Sequence, residues 1–168
     1  MTVPPDQAAR LRFLQRVVRR ERELLQETTA ALFAGDAAQQ DIVGNAALTW
    51  QLPAGPLSSA LSERLDAFVA RFARLQDSLG DKLLPALLLA LAEPVGAAVD
   101  NLGIGERLGW FDSVELWRSV RALRNQMIHD YVEDRRILEG ALSAARDAVP
   151  MLCAVATRMS DEIDRRLR

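Results

Sequence analysis

Arg124-Asn125-Gln126-Met127-Ile128-His129-Asp130-Tyr131 is the stretch on which the reading of this chain turns. It holds the only histidine and the only tyrosine in 168 residues. It also closes a helical pattern. Asp112 has the right residue type and spacing to cap a helix, with Glu115 three residues on to return the bond, and the periodicity then runs to about His129. Taking Arg124 as zero and about 100° per residue, Leu116, Val120, Leu123 and Met127 fall between roughly −100° and −40°. Trp117 and Ile128 fall near +20° and +40°, and Tyr131 near −20°, again at about 100° per residue. Arg124 therefore stands inside an apolar arc. Burying an unpaired guanidinium is very costly, so this one must meet a carboxylate, a second chain or an anionic ligand.

Asn125, Arg118 and His129 gather at about +100° to +140°, and Asn125 and His129, four apart, share a face. Arg124 and His129 diverge by about 140°, so one straight helix does not aim both at one point. A second copy of the helix would supply the missing side chain, which points to a two-fold dimer across this surface. The plainer alternative is structural: a histidine near a helix C-terminus interacting with its dipole, and an arginine paired with Asp130 or Asp134.

Outward from this helix the chain is helical scaffold. Hydrophobic residues make up 49% and aromatics only 5%, with Ala and Leu dominant, a composition that suits packed helices rather than strands. The fold class is all-α, and 168 residues suit one domain with a real core. Within residues 1–168, a segment over 1–57 precedes a core over 58–168. Asp6 is the expected cap of a first helix reaching Phe33, with Leu11, Leu14, Val18, Leu25 and Leu32 on one side. Its Arg12, Arg16, Arg19, Arg20 and Arg22 form either a solvated face offset by Glu21, Glu23 and Glu27, or a flank for RNA phosphates. Gly35-Asp36 ends this helix, Gln39 to Leu48 suits a short one, and Pro53, Gly55 and Pro56 mark a loop.

Ser58-Ser59 opens the next helix, for which Gly80 reads as the stop and Asp81 as the following cap. Pro85 suits the first turn of a buried helix over the apolar run Leu83–Ala92. After Glu93-Pro94 the chain restarts from Val95 to about Leu102, and Gly103, Gly105 and Gly109 loosen it into turns. Asp134 is the expected cap of a long last helix that Pro150 should kink or divide.

Several function classes lack support. Net charge is −2, so no global field draws nucleic acid, and Lys82 is the one lysine. Cys153 stands alone, which suits a reducing compartment, and neither a secretory signal nor an apolar run of membrane-spanning length is visible. A soluble cytoplasmic protein is expected. One histidine without HxxxH or CxxC makes zinc improbable, and no P-loop, GxGxxG or GxSxG occurs. No cofactor is expected. Histidine suits proton transfer near neutral pH, and arginine offers a planar fork to phosphate. An Arg/His pair without metal fits RNA cleavage by the substrate's own 2′-OH.

Arg124 to Tyr131 resembles the R-x4-H-x-Y signature of HepT-type toxins in the HEPN superfamily, with Arg124, His129 and Tyr131 at the defined positions. Asn125 fits the polar residue that commonly follows the arginine. Weaker similarity extends over much of residues 60–145, while the first 55 residues carry no diagnostic motif. The resemblance implies a HEPN-like helical bundle that dimerises with both motifs facing a shared cleft. It implies a metal-independent endoribonuclease, the toxin of a type VII toxin–antitoxin pair. Its partner would be an MntA-like nucleotidyltransferase that silences it by transferring AMP to the motif tyrosine. On that model Arg124 steadies the phosphate, His129 moves protons, Asn125 positions substrate or His129, and Tyr131 is the modification site. Related HEPN proteins serve instead as non-catalytic substrate-binding or partner subunits of nucleotidyltransferases, which is the alternative function.

Overall fold

The computed structural model describes residues 3–34, 50–129 and 135–168, the side chains of Ile128 and His129 excepted. Gly35-Asp36, the segment Gln39 to Leu48, and Asp130, Tyr131 and Asp134 lie outside the described residues. The described chain is all-helical: α1 Pro5–Phe33, α2 Ser59–Asp77, a π-helical stretch Ser78–Leu83, α3 Leu84–Ala90, α4 Ala98–Arg107, α5 Val114–His129 and α6 Arg135–Arg166. Among the described residues no helix is long and apolar enough to cross a membrane.

α1 is part of the core rather than an appendage, because Leu11, Leu14, Val18 and Leu25 bury their side chains against the other helices. Its start differs from expectation. Pro4 holds the cap position and Pro5 the first turn, where a missing N–H costs nothing, so Asp6 serves as first-turn acid rather than cap. Ser58 does cap α2, its hydroxyl accepting from the Leu61 N–H at 3.2 Å.

Gly80 does not stop that helix, and Asp81 does not cap a new one. The chain runs through the π-helical stretch straight into α3, with Pro85 in the first turn of the latter. Gly80 is small for a packing reason: a Cβ there would lie 3.1 Å from Cζ2 of the buried Trp117 indole. Gly103 and Gly105 likewise sit inside α4, which begins at Ala98 rather than Val95. A Cβ on Gly105 would come within 2.7 Å of the Phe111 ring, so close approach selects the glycine. The turn comes only at Gly109, whose φ of 79° is the left-handed conformation glycine tolerates.

Pro150 does not divide α6, which continues from Arg135 to Arg166. Its ring is exposed, while Ala145, Val149, Leu152, Val155 and Ala156 around it are buried. A proline inside a helix costs ~3 kcal/mol, and burying two or three aliphatic side chains, at about 1.5–3 kcal/mol each, offsets it. The loop at Pro53, Gly55 and Pro56 is non-helical as expected and is fastened to α6. Arg135 donates to the carbonyls of Pro53 and Gly55, and the Leu52 N–H donates to Glu139 at 3.0 Å.

Candidate functional site

Helix α5 is fixed at both its start and its middle. Ser113, not Asp112, caps it: the Ser113 hydroxyl accepts from the N–H groups of Glu115 at 3.1 Å and Leu116 at 3.2 Å. Asp112 is drawn away by Arg158 of α6 at 2.8 Å. One turn on, Trp117 is buried edge-on against Phe111, with ring centroids 4.9 Å apart, and lies over Gly80. Val120 and Met127 continue the buried stripe, whereas Leu116, placed in the apolar arc by periodicity, is exposed. The inward stripe is therefore narrower than the sequence pattern.

With α5 so held, its arginines face the π-helical stretch. Arg121 donates from both Nη atoms to Asp81, at 3.1 and 3.0 Å, and these bonds lift its guanidinium above the ordinary arginine range. Arg124 donates from Nη1 to Asp77 Oδ1 at 2.9 Å. The Arg124 side chain is 23% exposed and that of Asp77 32%, so the pair straddles the boundary between core and solvent. Asp77 also lies 4.0 Å from Arg121, making a ladder of two carboxylates against two guanidinium groups. Arg124 Nε is buried with no acceptor among the described residues. Behind the ladder, Glu21 reaches in from α1. Burial pushes its carboxyl above the usual range, against the opposing pull of Ser78, Lys82 and Arg74.

The residues singled out from sequence fall as follows. Arg124 sits at the inner edge of α5 and has the carboxylate partner its burial demands, but that partner is Asp77, from α2, 47 residues away. Asn125 is beside it and exposed, as is Arg118. His129 is the last residue of α5, about 7.5 Å along the axis from Arg124, and its side chain lies outside the described residues. Tyr131 lies outside them altogether. The geometry therefore joins Arg124 to Asp77, while the expected convergence of Arg124 with His129 involves a side chain outside the described residues. Sequence reading missed Asp77, Asp81 and Arg121. A signal was present: two aspartates four apart on one helix, and two arginines three apart on another, have matching spacing.

Chemically, the ladder fixes the direction of Arg124 and engages one of its donors, leaving a planar cation at the rim of α5. Among the described residues no group of three or more His, Cys, Asp or Glu side chains gathers in a way that would hold a metal ion. No family model, no curated protein and no solved structure matches this chain, so its chemistry is argued from these residues.

Proposed function

We propose that this chain is a HEPN-type, metal-independent endoribonuclease, the toxin half of a type VII toxin–antitoxin pair with an MntA-like nucleotidyltransferase. One observation carries the reading: Arg124 is a half-buried guanidinium held in place from behind by Asp77, on the helix that ends at His129 and beside the exposed Asn125. A cation aimed by a carboxylate loses little freedom on meeting a phosphate, which is what stabilising charge at phosphorus requires. The substrate's 2′-oxygen attacks phosphorus, the 5′-oxygen leaves, and a 2′,3′-cyclic phosphate forms. His129 takes the proton from the 2′-OH, and the His129 of a second copy gives one to the departing oxygen. Such a dimer forms across α5, where Leu116 is an exposed apolar side chain, as is Ile137 on α6. Asn125 positions the RNA. AMP on Tyr131 places bulk and negative charge where the RNA phosphate would bind, which silences the enzyme.

The same ion pair favours a second reading. Asp77 already satisfies Arg124 without any ligand, as a non-catalytic partner subunit of a nucleotidyltransferase would need. Expression of the chain without a partner separates the two. The toxin reading expects growth arrest that His129→Ala and Arg124→Ala each relieve, and a fully toxic His129→Ala chain refutes the catalytic assignment. Purified unmodified protein that cleaves no RNA yet forms a stable complex with the nucleotidyltransferase supports the second reading. Co-expression with that partner should add about 329 Da per AMP to the intact mass, mapped to Tyr131.

A further inference from the structure

The arginines of α1 fall into two sets once that helix is packed. Taking Phe13 as zero and about 100° per residue, Arg12, Arg19 and Arg22 stand about 100–180° away, on the side that meets α6. There they donate to the Leu167 carbonyl at 3.0 Å, to Asp164 at 2.6 Å and to the Thr157 hydroxyl at 2.8 Å. Arg10, Arg16 and Arg20 stand within about 60° of Phe13, and all three are exposed. Arg10 and Arg16 make no hydrogen bond or ion pair among the described residues, and Arg20 has a 3.4 Å contact with the exposed Glu23. Phe13 itself is 56% exposed, the one exposed aromatic side chain among the described residues. No Asp or Glu occurs between Asp6 and Glu21, so this face is cationic although the whole chain carries −2.

We infer that the outer face of α1 binds single-stranded nucleic acid, with a base stacked on Phe13 and the phosphates beside it on Arg10 and Arg16. Each arginine lies three residues from the ring, about 4.5 Å along the axis on either side, so the three meet successive parts of one strand. A guanidinium with no carboxylate partner takes a phosphate without first breaking an ion pair. An exposed ring takes a flat apolar partner, which every base supplies. Ala9 and Val17 are the other neighbours of Phe13 on this face, so the face of a base is met and its edge is not read. A duplex keeps its base faces stacked on one another and offers the arginines alone a partner. A membrane surface fits less well, since an interfacial helix lays several apolar side chains into lipid. Here Leu11, Leu14, Val18 and Leu25 face the core, and Phe13 stands alone. Arg20 extends the track beyond Arg16, while Asp6 and Glu23 bound it, so the site spans only a few nucleotides. This inference is independent of the ribonuclease reading, since it uses no residue of α5.

The test titrates the full-length chain into fluorescent oligonucleotides with deoxy or 2′-O-methyl sugars, which lack the 2′-OH and so report binding whether or not the chain cleaves RNA. Single strands should bind, and log affinity should fall with log salt by about 0.7 for each phosphate held. Arg10→Gln and Arg16→Gln should each take about 0.7 from that slope. Phe13→Ala and Phe13→Leu should weaken binding about tenfold with the slope unchanged, and Phe13→Trp should keep it. A duplex, or an abasic strand of equal length, should bind the native chain about tenfold more weakly. Arg64→Gln, an exposed arginine of α2, should change nothing. Every side chain replaced is exposed, and helical circular dichroism confirms that each variant is folded. Undiminished affinity in Phe13→Leu, equal affinity for the abasic strand, or no binding of single strands would each overturn the inference. So would capture by anionic phospholipid vesicles in place of oligonucleotides. Binding lost in Arg124→Ala but not in the α1 variants would overturn it as well, and would leave the ribonuclease reading standing.

Discussion

Arg124 and Arg19 each reach across a helix seam to an aspartate oxygen, Arg124 to Asp77 at 2.9 Å and Arg19 to Asp164 at 2.6 Å. By distance the outer contact looks the stronger. Its setting says the opposite. Arg19 and Asp164 keep 45% and 46% exposure, so water and salt replace either partner at little cost. Arg124 keeps only 23%, and its buried Nε has no acceptor among the described residues. Between α1 and α6 the aspartate is one of several interchangeable fasteners. Between α2 and α5 it is the group that makes an arginine in an apolar stripe tolerable. Ranked by burial rather than by distance, the inner seam is the stronger of the two.

The sharpest way to break this comparison is to remove Asp77. Asp77→Ala should lower unfolding stability by about 2 kcal/mol, short of the 3–5 of a fully buried pair because both side chains retain some water. Adding Arg124→Met should return stability to within about 1 kcal/mol of the native chain, since an aliphatic side chain suits that stripe. Urea midpoints of the single and double variants measure both effects. A single variant as stable as the native chain would show that the inner seam behaves like a surface one. On the proposed ribonuclease function, a double variant that folds normally and cleaves no RNA, where Asp77→Ala alone still cleaves it, would show that Arg124 is kept for chemistry and not for the bundle.

Much of this was legible before the fold, and what was not shares a physical cause. The stripe of Trp117, Val120 and Met127, and the misplaced Arg124 within it, follow from periodicity along a single helix. So does the demand that Arg124 find a partner. The identity of the partner does not follow, because Asp77 reaches it only after α2 packs on α5 in a register set by Trp117 over Gly80. Gly80 and Gly105 were misread for the same reason. A glycine that makes room for an aromatic ring from another helix looks, in sequence, like one that ends its own. Asp112 and Ser113 compete for one cap, and the choice is made by Arg158, far along the chain. Local signals located the elements, and tertiary approach decided the details.

The outer seam offers a smaller test. Gln15 is buried there and donates to Ser160 O at 2.9 Å and to Asp164 Oδ1 at 2.8 Å. Gln15→Ala should cost about 1 kcal/mol, and Arg19→Ala less than about 0.5, the latter vanishing in high salt. The Gln15 hydrogen bond, and after it Arg19, holds the Asp164 carboxyl below the ordinary range. A lowered folded pKa gives stability that is present above the usual carboxylate range and lost as pH falls through the folded value. Acid unfolding followed by circular dichroism should therefore begin at higher pH in Gln15→Ala than in Arg19→Ala. The reverse order would place the arginine, not the amide, at the centre of this seam.

Glu21 sharpens the contrast most finely, because it belongs to α1 by sequence and to the inner seam by position. Its Oε2 is buried without a donor, and desolvation raises its pKa, with Asp77 adding a little in the same direction. A raised folded pKa gives a contribution that is fully present below the unfolded value and lost as pH rises through the folded one. At neutral pH the ionised Glu21 is therefore a cost, unlike Asp164, whose ionised form stabilises. Glu21→Gln removes the charge while keeping the shape, and should raise the melting temperature at pH 7 by an amount worth less than about 1 kcal/mol, since the group is only half buried. That gain should shrink to nothing as pH drops below the usual carboxylate range, where the native side chain is neutral as well. A variant that melted lower at pH 7 would mean that Ser78, Lys82 and Arg74 together outweigh burial. Glu21 would then be a third carboxylate in the ladder, balancing the guanidinium charge of Arg121 and Arg124 from behind.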